Sequence, residues 1–358
     1  MSPISLPRHQ RGRYGSCYLN EIPAFVGPEL TRLYETLHSS LPFFELFRST
    51  SGAHCYVSWR DGLPAHIFVF VFRDNCLEVL NEMIAVDEHE LARFTRFMFA
   101  RFGQIDLIRF KALKTQLREL EFPFQQYAAK HTYCIALPET AEGYTASLGA
   151  ATRGSVKHKC NRVMKAFPDL RMEFRNGSEI DDAWLGEIMQ LSEEGIAARG
   201  LNMRHDREKI SAMARRCGFA SAVLVEGRIA AGIIGYQLGS SYFFELLGYD
   251  KRFCKYGLGT VCIYQTIREI VVRGGRRCYL GGGHFEYKQH MGGKLLCMDE
   301  LKIYRSHSRM LANLHQAAGM LLDARVRAAK EFLHRHRHHA LARLVFEGFY
   351  LFKSRNVK

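Results

Sequence analysis

The sequence predicts a mixed α/β (α+β) protein built from two modules of similar plan. The first observation is a pair of β-hairpin patterns, in which apolar strand-like runs flank Asp61-Gly62 and Glu226-Gly227. The second is that each hairpin is followed by a further strand, a helix and another strand, so that helices accompany a mixed sheet. The third is size, because 358 residues, 47% of them hydrophobic, can form two buried cores.

The first module is predicted to span residues 29–142, after an irregular lead-in at 1–28. Prolines and glycines interrupt the lead-in, which argues against a long element there. Leu91, Phe94 and Met98 share one face of a helical pattern. The predicted elements, in order, are a helix at 29–38, hairpin strands at 53–59 and 65–72, a strand at 77–84, a helix at 88–101 and a strand at 105–110.

The second module is predicted to span residues 143–306, and its small, polar first residues mark the boundary. Alternation along a strand at 242–249 predicts that Phe243, Glu245 and Leu247 share one face. The predicted helices lie at 152–167, 181–199, 206–217 and 260–273, and the predicted strands at 170–174, 219–225, 229–238, 242–249, 278–282 and 298–305.

Residues 307–358 are predicted to form a basic helical tail, in which Leu311, Leu314 and Leu321 keep helical spacing. From residue 301 to the end, twelve lysines and arginines stand against three acids, so nine of the fourteen net positive charges lie here. This charge favours an anionic partner, either nucleic acid such as tRNA, an anionic membrane surface, a polyanionic polymer or a phosphorylated donor, and does not select among them. The apolar stretch near the end either packs on the second module or contacts a membrane.

Composition excludes several classes of protein. No stretch approaches about 20 apolar residues, and the first residues lack the apolar core of a signal peptide. The ten cysteines occur singly, without the spacing of a disulfide framework or a metal site. We therefore expect a cytoplasmic protein. The alternative is a cytoplasmic protein that also attaches peripherally to the inner face of the membrane. The histidine run at 334–339 lacks a carboxylate or cysteine partner, so no metal is expected.

A glycine-containing turn at the start of a helix is the most informative motif. Gly257 and Gly259 follow a strand-like run and open the helix predicted at 260–273. The first N–H groups of a helix lack internal partners, and the helix dipole favours negative charge there. Glycine lets a phosphate approach the backbone closely. A turn without a ligand is the alternative for two glycines alone.

Three segments near this turn carry a resemblance to a known family: Arg153–Lys165, Tyr256–Arg277 and Gly283–Gly293. They are similar to the basic helix, the glycine turn with its helix and strand, and the final glycine-rich motif of GNAT superfamily acyltransferases. The cellulose-biosynthesis acetyltransferase-like family, related to Fem-type aminoacyl transferases, is the most similar group. The resemblance implies tandem GNAT-like modules, each a mixed sheet flanked by helices. It also implies a donor, acetyl-CoA or another acyl-CoA, between parted central strands.

The resemblance implies which residues bind the donor. Main-chain groups near Leu246 would align the pantetheine arm, and Lys288 would neutralise phosphate or polarise the acyl carbonyl. The Arg or Gln that the family places three residues before its first glycine is Cys254 here, with Lys255 beside it. This departure leaves open a different CoA geometry or another acyl donor. The predicted donor-binding residues are Leu246, Gly248, Lys255, Gly257, Leu258, Gly259, Thr260 and Lys288.

Three residues are candidates for proton transfer. Glu245 has apolar neighbours, so burial would raise its pKa and improve it as a base; an ion pair with Arg276 or Arg277 is the alternative. His284 follows three glycines at a strand end, where an imidazole suits proton transfer or a hydrogen bond to the backbone. By resemblance, Tyr287 would protonate the departing thiolate, and otherwise it anchors its loop.

The helix predicted at 152–167 carries a cluster of positive charge. This cluster is either a solvated face or a contact for an anionic donor or acceptor. Its members are Arg153, Lys157, Lys159, Arg162 and Lys165.

These patterns predict a GNAT-type transferase that moves an acyl group from acyl-CoA to an amine or hydroxyl acceptor. Envelope or polysaccharide biosynthesis is the setting that the resemblance implies. One alternative is a Fem-like transferase that takes its acyl group from aminoacyl-tRNA. The other is a non-catalytic, degenerate GNAT module that docks to an anionic surface.

Overall fold

A single mixed β-sheet runs through both halves of the molecule. The structure, a computed structural model, describes residues 4–5, 13–48, 50–198, 200, 203–283 and 285–313. The strands in these ranges are β1 Ile4–Ser5, β2 Arg13–Tyr18, β3 His54–Arg60, β4 Leu63–Arg73, β5 Cys76–Val79, β6 Ile84–Ala85, β7 Leu107–Lys114, β8 Phe124–Ala136, β9 Arg171–Asn176, β10 Gly218–Val225, β11 Arg228–Leu238, β12 Ser241–Tyr249, β13 Arg277–Tyr279 and β14 Lys294–Tyr304.

Helices cover both faces of this sheet. The α-helices in the described ranges are α1 Val26–Tyr34, α2 Leu41–Phe47, α3 Glu88–Arg101, α4 Ala141–Ser147, α5 Ala150–Ala166, α6 Asp182–Ala197, α7 Arg207–Cys217, α8 Leu258–Val272, α9 Glu286–His290 and α10 His307–Ala312. Short 3₁₀ turns lie at Leu37–Ser39, Gly177–Glu179 and Lys251–Tyr256. The mixed α/β class predicted from the sequence is confirmed.

The two halves exchange strands at the centre of the sheet. The strand order is β1-β2-β3-β4-β5-β7-β14-β8-β13-β12-β11-β10-β9, with β6 pairing to β7. Strand β14, from the second half, lies between β7 and β8 of the first, and β8 in turn pairs with β13. The predicted modules therefore share one continuous sheet, in which strands from the two halves alternate at the centre.

In the first half, the two sheet faces pack against different helices. On one face, Phe68 and Phe110 pack with Phe94 of α3 in an aromatic cluster. On the other face, Val69 packs with Leu30 of α1. Burial of each such side chain contributes about 1.5–3 kcal/mol, so these contacts fix the sheet between its helices.

The second half repeats this arrangement around β10, β11 and β12. Helix α8 packs on one face through residues such as Leu258 and Ile267, together with α4 and α5. Helices α6 and α7 cover the other face, where Ile188 meets Ile234 and Leu246. The alternation of apolar side chains along β10 and β11 supplies both cores.

The N-terminal region differs from the sequence prediction. Residues 13–18, within the predicted irregular lead-in, form β2, which pairs with β3 along six residues. Helix α1 begins at Val26 rather than at Glu29. Pro28 lies in its first turn, where a missing N–H costs no hydrogen bond, so proline does not delay the start of the helix.

Strand β8 is the largest element that the sequence analysis missed. Its first half is polar, because its side chains join a polar network across the sheet rather than an apolar core. Tyr127 donates a hydrogen bond to Glu300, and Tyr304 donates one to Gln125 at 2.8 Å. A strand whose polar groups are satisfied by neighbours shows no apolar alternation in its sequence.

The C-terminal tail lies largely outside the described residues. Helix α10, His307–Ala312, is described, but residues 314–358, including the histidine run, are not. In the described part of the chain, none of the helices combines the length and apolar character that crossing a bilayer requires.

Candidate active site

The central strands β12 and β13 part after a short parallel pairing. They pair only through residues 241–243 and 277–279. Beyond Tyr279 the chain turns toward β8, where Leu280 N–H donates to Tyr133 O at 2.8 Å and Tyr133 N–H donates to Gly281 O at 3.2 Å. One edge of β12 beyond Phe243 consequently lacks a strand partner among the described residues. The parted strands that the sequence analysis expected are present.

A β-bulge lies at Glu245. The register between β11 and β12 shifts between Ile234 and Gly235, so Glu245 has no paired residue on β11. The bulge reverses the alternation, and Leu247 packs toward α8 whereas Phe243 packs on the opposite face. The prediction that Phe243, Glu245 and Leu247 share one face is therefore wrong. Bulges of this kind redirect side chains, and they are frequent beside active sites.

Helix α8 begins with unsatisfied main-chain donors. Gly257 adopts φ +72°, a left-handed conformation that favours glycine, and no side chain caps the helix. The Gly257 N–H donates to Cys254 O and the Thr260 N–H to Gly257 O, both at 3.0 Å. The N–H groups of Leu258 and Gly259 have no acceptor in the described part of the chain. With no acid in the first turn, this terminus can receive an anion.

The glycine turn, the bulge at Glu245 and the last loop, which joins β13 to β14, surround one cavity of about 610 Å³. It is here called the splay cavity. A Cβ at Gly259 would lie 3.1 Å from the Tyr249 ring, so glycine permits this close approach. The cavity is lined by Ser192, Ile196, Met203, His205, Glu245, Leu246, Leu247, Tyr249, Cys254, Gly257, Leu258, Gly259, Thr260, Ile263, Phe285 and Tyr287.

The splay cavity brings together seven predicted site residues: Glu245, Leu246, Gly257, Leu258, Gly259, Thr260 and Tyr287. Three other predicted residues do not line it. Gly248 is buried against α6, and Lys255 is exposed and lies 5.0 Å from the Tyr256 ring centre. Lys288 is described below, and His284 lies outside the described residues.

Glu245 lines this cavity and has no cationic partner in the described residues. Arg276 pairs with Glu139 and Arg277 with Glu35, so neither is the ion-pair partner considered from the sequence. The side chain is exposed at the cavity, and the surrounding protein partly desolvates the carboxylate, which raises the pKa of Glu245. A carboxylate with a raised pKa is a better proton acceptor at neutral pH.

Lys288 stabilises the glycine-rich loop at residues 281–283. Its ammonium donates to the carbonyl of Gly281 at 3.1 Å and to that of Gly282. The side chain is buried, and this burial lowers the pKa of Lys288 to about 8. Two carbonyl contacts and burial direct it to the loop rather than to a phosphate in the splay cavity. Tyr287, the residue before it, does line the cavity.

A cation from helix α5 lies beside the glycine turn, where the resemblance places Arg or Gln and this sequence has Cys254. The Lys159 side chain lies against Gly257, and its Nζ is 3.5 Å from Thr260 Oγ1 at the start of α8. Arg162 donates to the Lys255 carbonyl in the same turn. Both residues belong to the basic cluster on the helix predicted at 152–167, and only packing of α5 against α8 brings them to the turn.

Two cavity residues were missed altogether. Ser192 of α6 and His205 of the following segment line the splay cavity and lie within hydrogen-bonding distance of each other. Neither belongs to a recognisable sequence motif, since 13 residues separate them. For this region the sequence predicted only the helices at 181–199 and 206–217.

Comparison with known proteins agrees with this geometry. Residues 150–289 match a protein-family model described as an acetyltransferase (GNAT) domain. The crystal structure of FemX superimposes with a TM-score of 0.58 at 10% identity, covering 79% of this chain and 96% of FemX. The chain has a Fem-like GNAT fold. No curated protein matches the sequence.

Other solved structures are similar to smaller degrees. L-PGS from Bacillus licheniformis has a TM-score of 0.44 at 12% identity, covering 73% of this chain and 85% of that chain. A GCN5-related N-acetyltransferase from Kribbella flavida has a TM-score of 0.33 at 11% identity, covering 67% and 86%. The matched GNAT domain contains α5, β12, the glycine turn and most of the last loop, which are the elements that build the splay cavity.

Proposed function

We propose that this GNAT domain transfers an acyl group from a phosphate-bearing donor to an amine or hydroxyl acceptor. The observation that carries the proposal is the pair of N–H groups at Leu258 and Gly259, for which the described residues supply no acceptor. They open onto the same cavity as Glu245 and Tyr287. Anion binding and proton transfer can therefore act on one bound molecule.

Acyl-CoA is the donor that fits this arrangement best. Its pyrophosphate would accept hydrogen bonds from the amides at the start of α8, and Lys159 would supply positive charge beside them. The pantetheine arm would lie along the open edge of β12, near Leu246. Apolar side chains such as Leu247 and Ile263 line the cavity and can contact the acyl chain.

The chemistry needs few groups. The acceptor nitrogen or oxygen attacks the thioester carbonyl carbon, a new bond to carbon forms, and the C–S bond breaks. Glu245 takes the proton that the acceptor loses during attack, and the Tyr287 hydroxyl gives a proton to the departing sulfur. Solvent returns the proton from Glu245 to Tyr287, so the protein is unchanged after each cycle.

Aminoacyl-tRNA is a second candidate donor. The fold likeness to FemX extends over 79% of the chain, and Cys254 stands where the GNAT resemblance places Arg or Gln. A tRNA donor also carries phosphate beside an activated acyl group, so the same helix terminus would serve it. Envelope biosynthesis is the setting that we propose for either donor.

The test uses the full chain with two donors and a small acceptor. Acetyl-CoA or alanyl-tRNA is mixed with hydroxylamine, and hydroxamate formation is followed by mass spectrometry. We expect enzyme-dependent acetohydroxamate from acetyl-CoA and none from alanyl-tRNA. Product from alanyl-tRNA alone would replace the first donor by the second, and no product from either would overturn the proposal.

A further inference from the structure

A serine–histidine pair lies in the splay cavity outside the machinery described so far. His205 Nε2 is 3.0 Å from Ser192 Oγ, and both residues line the cavity. Ser192 is only 7% exposed, so its hydroxyl is held at a fixed position on α6. A buried hydroxyl bonded to an imidazole sets the orientation of the ring, and the other ring nitrogen remains available for proton transfer.

The segment that carries His205 is fixed to α6. The His205 main-chain N–H donates to Glu193 Oε1 at 2.9 Å, and Arg207 donates to Glu193 Oε2 at 3.1 Å. Glu193 thus holds the His205 main chain and the Arg207 side chain. Because the carboxylate accepts the His205 N–H, its own pKa is lowered. The Glu193 contact fixes the backbone of His205, and the Ser192 contact fixes its imidazole.

The pair approaches the cavity from the side opposite the glycine turn. Helix α6 covers one face of the sheet and α8 covers the other. The splay between β12 and β13 connects the two faces, so the cavity joins the α8 terminus to Ser192 and His205. If the donor phosphates occupy the α8 side, the acceptor enters from the α6 side, where it meets the imidazole first.

An amine acceptor must lose two protons during transfer. It arrives at neutral pH as an ammonium ion, which has no lone pair and cannot attack. Its first proton must leave before attack, and its second leaves as the new C–N bond forms. The proposed function assigns only the second proton, to Glu245.

We propose that His205, oriented by Ser192, removes the first proton from an alkylammonium acceptor at the α6 side of the splay cavity. This inference rests on the proposed function. The ammonium N–H bond breaks, the proton moves to the free imidazole nitrogen, and the amine keeps the electron pair that attacks the thioester carbon. The imidazolium then releases the proton to solvent. The acceptor class is therefore a primary amine with a basic nitrogen.

Burial keeps the His205 imidazole neutral. It lowers the pKa of His205, Glu193 raises this pKa and Arg207 lowers it, with a net lowering below the ordinary value of 6.5. Glu245 from β12 lines the same cavity, and its pKa is raised by desolvation. A neutral imidazole at pH 7 can accept a proton, and this capacity is lost as the pH falls through its pKa.

The test compares two acceptors that differ in protonation. With acetyl-CoA as donor at pH 7, butylamine is an ammonium ion, whereas hydroxylamine is already a free base. We expect His205→Asn to lower kcat/KM for butylamine about 100-fold and for hydroxylamine by far less. Glu245→Gln should impair both acceptors equally, and the exposed His89→Asn on α3 serves as the histidine control.

Each outcome decides the inference. Equal losses with both acceptors in His205→Asn, or no loss with either, would overturn the role of His205. No CoA release by the unaltered protein with either acceptor would overturn the proposed function itself. Ser192→Ala is expected to lower kcat/KM for butylamine more than for hydroxylamine, because the imidazole loses its orienting contact, and Ser192→Thr to restore it. Equal losses with both acceptors in Ser192→Ala, or no loss with either, would remove the positioning role of Ser192.

Discussion

The first strand–helix–strand unit, β5–α3–β7, and the second, β12–α8–β13, have the same plan but opposite properties at the helix start. Asp87 caps α3 by accepting the Glu90 N–H at 2.8 Å, and Glu88 and Glu90 add negative charge. Helix α8 has Gly257 at this position, no capping side chain and no acid in its first turn. The first terminus is already satisfied and repels anions, whereas the second can receive one.

The pairing of the two parallel strands also differs between these units. Strands β5 and β7 pair in parallel through four residues, and β6 resumes the pairing at Ile84 and Ala85. Between them, Met83 N–H donates to Ala112 O at 2.7 Å, which keeps the strands together. Strands β12 and β13 separate after three pairs and leave the splay cavity. The same plan thus gives two outcomes. The parallel strands stay together in the first half, here called the closed half, and separate around a cavity in the second, here called the open half.

The largest expected effect follows from replacing the acid of the open half. Glu245→Gln should lower kcat for acetyl transfer about 100-fold or more, because the neutral amide cannot accept the proton. Steady-state kinetics measure this effect, and unchanged kcat would contradict the role of Glu245.

Replacing Glu78, a buried acid of the closed half, should lower stability and leave donor binding unchanged. Glu78 on β5 is buried and accepts a hydrogen bond from Lys111 at 2.6 Å. Glu78→Gln leaves the partly exposed Lys111 without this counter-ion, so the free energy of unfolding should fall by about 1–3 kcal/mol. Acetyl-CoA affinity should not change. Urea denaturation and calorimetry check both expectations, and a stability loss accompanied by lost donor binding would show that the halves are not independent.

Making the α8 terminus resemble the α3 terminus should weaken donor binding. Gly257→Asp places a carboxylate beside the amides of Leu258 and Gly259, so acetyl-CoA should bind at least about tenfold more weakly. Gly257→Asn is the matched control, because it has the same size and the same cost at positive φ but no charge. Isothermal titration calorimetry compares the two variants. Equal affinities would mean that charge at this terminus is irrelevant to the donor.

The smallest expected effect on donor binding concerns Lys159, the cation beside the glycine turn. Lys159→Gln should weaken acetyl-CoA binding about threefold, because a partly exposed charge contributes less than about 1 kcal/mol. The loss should shrink as sodium chloride increases, since salt screens this charge. Lys157→Gln, on the exposed face of the same helix, is the control. A larger loss in the control would move the phosphate contact elsewhere on α5.

The sequence was sufficient for the parts of the site that depend on local backbone geometry. Gly257 and Gly259 predict the turn, because a left-handed residue before a helix favours glycine. The hairpins at Asp61-Gly62 and Glu226-Gly227 were also predictable, since these dipeptides adopt the positive φ values that tight turns need. Helix α3 was predicted with the bounds that the structure gives.

Other parts depend on contacts between distant segments. The bulge at Glu245 shows no local signal, because it results from pairing with β11. Lys159 reaches the glycine turn across 101 residues, and His205 meets Ser192 only after the chain returns along α6. Strand β8 was missed since its polar side chains find partners on β14. Long-range packing, and not local propensity, places these groups.

The central claim is that the free amides at the start of α8 hold the phosphates of an acyl donor. Calorimetric titration of the full chain with acetyl-CoA and with acetyl-pantetheine, which lacks the nucleotide phosphates, tests it most directly. The account predicts that acetyl-CoA binds at least about tenfold more tightly and that Gly257→Asp removes this preference. Equal affinity for the two donors in the unaltered protein would contradict it.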